Sequence, residues 1–139
     1  MKPAARRKAR SLAVQAIYSW QISQNHVSDI EQQFLLENDV NKIDVEFFKE
    51  AIRGVAAHYK ELDTALTPYT ERPYEDVDQI EKAIMRLSAF ELKFRVDVPY
   101  KVAINEGIEL AKKFGADDSH RFVNGVLDRA AKDLRIPLR

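Results

Sequence analysis

The chain is predicted to fold as an all-α bundle of six or seven helices. Three observations carry that reading. Apolar residues recur at three-and-four spacing in each long segment, capping residues and prolines fall where those stripes begin and end, and no segment sustains the alternation of a strand. The 139 residues are 45% hydrophobic and 32% charged, a globular composition that suits one domain with one core over 1–139.

From Ala4 the stripe Ala9, Leu12, Ala13, Ala16, Ile17 and Trp20 predicts a first helix, with Pro3 tolerated in its first turn. Ser28-Asp29-Ile30-Glu31 has the form of a capping box and predicts a short second helix to about Glu37. Asn38-Asp39-Val40-Asn41 then reads as a loop, and Asp44 as the cap of a third segment. Its stripe Phe48, Ala51, Ile52, Val55, Tyr59, Leu62, Leu66 and Tyr69 satisfies one long helix or two joined between Gly54 and His58. Pro68 and Pro73 end it.

Asp78 with Glu81 opens a fourth helix whose core face is Ile80, Ala83, Ile84, Leu87, Phe90, Glu91 and Phe94, one acid in an apolar stripe. Pro99 separates it from a helix of about Tyr100 to Phe114, which buries Ala103, Ile104, Gly107, Ile108 and Ala111. Gly115 stands where a left-handed C-cap takes glycine. The last helix starts near Asp117 or Asp118 and buries Phe122, Val123, Val126, Leu127, Ala130, Ala131 and Leu134. Asn124-Gly125 resembles a hairpin turn, but the helical repeat runs through it. Gly125, like Gly107, is expected at a close helix crossing.

With no cysteine, disulfide frameworks, thiolate zinc sites and cysteine nucleophiles are excluded, and the composition suits a reducing cytosol. No apolar run approaches the roughly 20 residues that span a bilayer, so a cytoplasmic protein without a membrane partner is expected. His26, His58 and His120 include no pair at i and i+4 for a metal. Asp118-Ser119-His120 has the residue types of a hydrolytic triad, yet neighbours on a helix point apart. Gly54, Gly107, Gly115 and Gly125 are isolated and form no phosphate loop. Glu106 and Glu109 read as a solvated face. No enzyme, metal or cofactor is expected.

The formal net charge is zero, from 22 basic and 22 acidic residues, but its layout is uneven. Residues 1–10 carry Lys2, Arg6, Arg7, Lys8 and Arg10 with no acid, residues 28–50 are net minus five, and residues 83–139 are net plus three. Basic ends with an acidic middle point to one surface for a polyanion and another for a basic partner. Cations at a helix start oppose its dipole by a few tenths of a kcal/mol, whereas a phosphate backbone would favour them. On a helical projection Arg7, Arg10, Val14 and Tyr18 share one face, which would join cations to an aromatic for stacking on single-stranded RNA. A solubilising tail and a segment resting on anionic lipid are the alternatives. A second, weaker candidate is Lys112-Lys113-Phe114-Gly115-Ala116-Asp117-Asp118-Ser119, where an exposed Phe would adjoin a helix start. Ordinary dipole complementation explains the same residues.

KPAARRKAR followed by AVQAIYSWQ, the acidic PYEDVDQIEKAIMRLSAFEL, and DVPYKVAINEGIELAKKFGADDSHRFVNGVLDRAA together resemble the NusB family of bacterial transcription antitermination factors, end to end. The family also includes an RNA-binding domain fused to RNA cytosine methyltransferases, and the chain resembles the stand-alone form. The resemblance implies two perpendicular three-helix sub-bundles and no catalysis. It implies pairing with NusE, a small-subunit ribosomal protein, and binding of boxA, a U-rich single-stranded element of ribosomal RNA operon and phage transcripts. The RNA would then be held near RNA polymerase with NusA and NusG so that termination is resisted.

Carried over by position, the RNA residues are Lys2, Arg6, Arg7 and Arg10, with a second patch at Phe114, Asp117, Asp118 and Ser119 and Tyr69 nearby. The partner face includes Tyr18, Glu75, Glu81 and Arg86, which moves Tyr18 from RNA stacking to protein contact. The resemblance admits a homodimer of the free protein that hides the arginine-rich surface. Asp118 beside phosphates should repel them unless it only caps its helix. A helical adaptor without specific RNA binding is the second reading, and a hydrolase at Ser119-His120 the third.

Overall fold

The computed structural model describes residues 2–135, and the apolar stripes become six α-helices joined by short turns. α1 (Pro3–Ser23) opens on proline and closes at Gln24, in the left-handed region at φ 58°, whose N–H donates to Trp20 O. α2 (Val27–Glu37) starts with His26 at the N-cap, so Ser28 lies inside the first turn and the expected capping box does not form. Val27 packs against the core, and this contact replaces a cap of about 1 kcal/mol. The expected loop after α2 tightens into a 3-10 turn at Val40–Lys42, with Asp39 accepting from the Asn41 N–H.

α3 (Val45–Leu66) is one continuous helix, which settles the choice between one segment and two. Asp44 caps it, its Oδ1 accepting from the Phe47 N–H at 3.1 Å. A 3-10 turn at Thr67–Tyr69 carrying Pro68 ends it. α4 (Gln79–Phe94) is capped as expected, Asp78 Oδ2 accepting from the Ile80 and Glu81 N–H groups. Its burial is wider than one stripe: every residue from Glu81 to Leu92 is buried. Phe94, expected in the core, is 39% exposed and lies over the His58 ring with centroids 4.4 Å apart. α5 (Tyr100–Phe114) and α6 (Ser119–Leu134) complete the bundle, with Asn124 and Gly125 helical.

α1, α2 and α3 pack on one another, as do α4, α5 and α6, and α4 also packs against α1 and α3. That position explains why α4 is apolar or paired all round. Its C-terminal end and the turn after it are short of backbone donors. Among the described residues, of the carbonyls that Arg135 meets there only those of Glu91 and Arg95 accept backbone N–H groups, and Arg135 adds the rest. The Arg135 guanidinium donates to the carbonyls of Glu91, Leu92, Arg95 and Val98 at 2.6–3.0 Å.

The glycines divide. A Cβ at Gly107 would lie 2.5 Å from Ser88 Oγ, so α5 crosses α4 closely there, as expected. At Gly125 a Cβ would meet only Arg129 Nη2 at 3.8 Å, so no close crossing requires glycine. Gly115 is extended, with φ −89° and ψ 177°, and not a left-handed cap. A Cβ there would lie 2.6 Å from Ser119 Cβ and 2.8 Å from Ala111 O, so the tight passage into α6 selects glycine. Gly54 sits mid-helix because the Phe90 ring occupies the place of its Cβ, with Cδ1 2.6 Å and Cζ 2.7 Å away.

Gly54→Ala should gain about 1 kcal/mol of helix propensity and lose about 1–3 kcal/mol to overpacking against Phe90. Net destabilisation in urea denaturation is the expected result; a gain in stability would mean that Phe90 repacks without strain.

Candidate nucleic-acid interface

The arginines of α1 are less available than their run in the sequence suggests. Arg10 is 5% exposed and Glu91 1%. Arg10 Nε donates to both Glu91 oxygens at 3.1 and 3.0 Å, and Nη2 to Oε1 at 2.8 Å. Burial pushes the Glu91 carboxyl upward, and Arg10 opposes it. Arg7 Nε donates to Glu106 Oε1 at 3.1 Å, an oxygen that lies 3.6 Å from Arg10 Nη1. Arg6 Nε and Nη2 both donate to Asp44 Oδ2 at 3.2 Å. The Phe47 ring takes Arg6 and Arg10 at 5.0 Å and Arg95 at 5.2 Å. The expected face of Arg7, Arg10, Val14 and Tyr18 is therefore no surface stripe: Arg10 and Val14 are buried, and Arg7 and Tyr18 are exposed. Among the first ten residues Lys2 and Lys8 are exposed, while Arg6, Arg7 and Arg10 each meet a carboxylate from a later helix or its cap.

Beside this cluster a groove of about 660 Å³ lies between α1, residues 38–43 and α5, bordered by Arg7, Lys8, Lys42 and Lys113. Phe114 follows at the end of α5. It is half-buried against the core, not exposed as expected, with Lys113 Nζ 5.1 Å from its ring centroid. Asp117 and Asp118 are exposed. Asp118 occupies the α6 N-cap without a side-chain hydrogen bond. Ser119 is 4% exposed, and its Oγ accepts from the Ala116 N–H at 3.0 Å, so it fastens the turn.

A second depression brings Asp117, Asp118 and Ser119 together with Thr70, Arg72 and Phe122. Arg72 lies 4.1 Å over the Phe122 ring and 3.4 Å from Glu81. The sequence reading passed over this pair, because residues so far apart share no local pattern. Tyr69, next to Thr70, is half-buried, its hydroxyl donating to Asp133 Oδ2 and held protonated by that bond.

On the opposite count of charges, the expected partner residues split into two layers. Tyr18 is 41% exposed and Glu75 is exposed, whereas Glu81 and Arg86 are each 7% exposed. Arg86 donates to Asp63 at 2.9 and 2.7 Å and to Gln21 Oε1 at 3.0 Å, among the rings of Trp20, Tyr59 and Tyr74. The Tyr74 hydroxyl also donates to Asp63, at 2.6 Å, and burial raises it well above the ordinary phenol range. Arg86 thus ties α4 to α1 and α3, whereas Glu81 faces Arg72 in the second depression, beside Asp117, Asp118 and Ser119.

Among the described residues no three His, Cys, Asp or Glu side chains gather to hold a metal, and no helix is long and apolar enough to cross a membrane. What the geometry builds is an all-helical binding protein with a lysine-bordered groove between α1, residues 38–43 and α5. Residues 7–132 match the NusB family, and the chain belongs to that family of transcription antitermination proteins, which are not enzymes. The transcription antitermination protein NusB of Pseudoalteromonas translucida (strain TAC 125) is 69% identical over 97% of this chain and 99% of its own. That of Idiomarina loihiensis is 68% identical over 97% of each chain.

Among solved structures, T. maritima NusB has a TM-score of 0.83 at 30% identity, over 99% of this chain and 96% of its own. The NusB fold also aligns with a crystal structure of antitermination factors NusB and NusE in complex with dsRNA. There the TM-score is 0.84 at 21% identity, over 95% of this chain and 99% of that one.

Removing one member of a buried ion pair strands the other charge, at about 3–5 kcal/mol. Glu91→Ala should therefore cost stability on that scale in urea denaturation, and Arg10→Met with Glu91→Leu should recover most of it. A loss below about 1 kcal/mol in the single variant would mean that water or Glu106 solvates Arg10.

Proposed function

We propose that this chain pairs with NusE and that the two together bind single-stranded boxA RNA of ribosomal RNA transcripts, holding it near RNA polymerase with NusA and NusG in the cytoplasm. The 69% identity to a transcription antitermination protein NusB carries the reading, and the basic groove beside α1 supports it. Lys2 and the exposed Arg7 contact phosphates, while Arg6 and Arg10 hold the helix start in place. Phe114 and Tyr69 offer ring faces to bases, with Asp117, Asp118 and Ser119 in the second depression. Tyr18, Glu75, Glu81 and Arg86 make up the face for the basic partner.

The internal pairing of Arg6, Arg7 and Arg10 favours a second reading, a helical adaptor whose basic start is structural. Fluorescence anisotropy of boxA and scrambled RNA, at two salt concentrations and with or without NusE, separates them. Preference for boxA that sharpens with NusE and weakens with salt is expected. Equal binding of both RNAs, or no binding with NusE present, would leave the adaptor.

Asp118 has no side-chain cap bond to lose, so Asp118→Asn removes a charge at little cost to α6. RNA affinity should rise by about two- to fivefold, the size of one screened surface charge contact. Unchanged or weaker binding in the same assay would place the RNA away from the α6 start.

A further inference from the structure

We propose that the groove between α1, residues 38–43 and α5 carries the sugar-phosphate backbone of the bound RNA from the arginine-rich start to Phe114, with Lys8, Lys42 and Lys113 as its phosphate contacts. This deepens the RNA-binding reading above and rests on it.

The assignment follows from which charges in the groove are already satisfied. Of its acids, Glu106 is engaged by Arg7 and Arg10, Glu109 by Lys112, and Asp39 by the Asn41 N–H. Among the described residues Lys8, Lys42 and Lys113 take part in no ion pair, and all three are exposed on the groove border. Arg6 and Arg10 of α1 are thus turned toward internal carboxylates, and the unpaired lysines left for a ligand in the groove come from three separate segments.

Lys113 is the most defined of the three. Its Nζ donates to Ser11 Oγ at 2.9 Å, which links α5 to α1 across the groove. An ammonium has three donors, so two remain for phosphate oxygens. The same nitrogen lies beside Phe114, where a base leaving the groove would find a ring face.

The floor contains Leu12, Ile43 and Leu110, which offer no hydrogen bonds to base edges. Such a track positions a strand without reading it. Its volume of about 660 Å³ lies within the usual range of ligand sites. Lysine suits the task, since it meets phosphate as a mobile point charge and needs no fixed fork geometry.

The test measures affinity for boxA and scrambled RNA across a salt series, with NusE present. The proteins are the unmodified chain, Lys8→Ala, Lys42→Ala, Lys113→Ala, the triple variant, and Lys60→Ala on α3 as a control outside the groove. Each groove substitution should weaken both RNAs by a similar factor and reduce the slope of log K against log salt by about 0.7, the value for one phosphate contact on a single strand. The control should match the unmodified chain. RNA binding with an unaltered slope in the triple variant would overturn the groove path and leave the RNA-binding reading standing. Loss of NusE affinity with RNA binding intact would make the groove a protein site and overturn the proposal. No RNA binding by the unmodified chain would overturn both readings.

Discussion

A carboxylate with 1% exposure inside the central helix governs how this bundle closes. Glu91 cannot stay ionised there alone, since several kcal/mol of solvation are lost per buried ion. Arg10 answers it from α1, and the flat guanidinium then stacks over Phe47 of α3. Glu106 of α5 shares the same cation. One charge thus fixes the register of four helices, α1, α3, α4 and α5. The backbone of the same residue is held from the other side, where Arg135 takes the Glu91 carbonyl.

This arrangement separates two uses of positive charge. Guanidinium groups suit bidentate, partly desolvated pairing, and here Arg6, Arg10 and Arg86 serve inside the fold. The lysines bordering the groove stay in water, where an ammonium is well hydrated and able to exchange water for phosphate. A zero formal charge therefore conceals a surface that is basic where α1 meets α5, because much of the acid there already faces an arginine or a helix cap.

Local chemistry was legible wherever it is decided within one turn of chain. The stripes predicted all six helices, Asp44 and Asp78 cap as read, and Gly107 marks a real crossing. Ser28 and Gly115 were misread because their patterns compete with packing: Val27 draws the α2 start forward, and Ser119 closes on the turn after Gly115. The interface was harder. Arg10, Glu81 and Arg86 looked like surface charges, and their burial depends on partners or helices far away in sequence. One signal was visible: Glu91, a single acid in an apolar stripe, demanded a cation, although nothing local said which. The outward lysines of the groove belong to three segments that only the fold brings together. The resemblance to the NusB family supplied the RNA and partner roles that periodicity does not contain.

Arg135 also sets an order of events during synthesis. The carbonyls it covers lie at the end of α4 and the start of the turn into α5, so they leave the ribosome well before their donor does. Until residue 135 emerges, the Leu92 and Val98 oxygens lack this donor, while those of Glu91 and Arg95 already accept from the Arg95 and Val98 N–H groups. Vectorial production of this chain therefore includes a late locking step, in which the end of α6 seals a helix already packed against α1, α3 and α5.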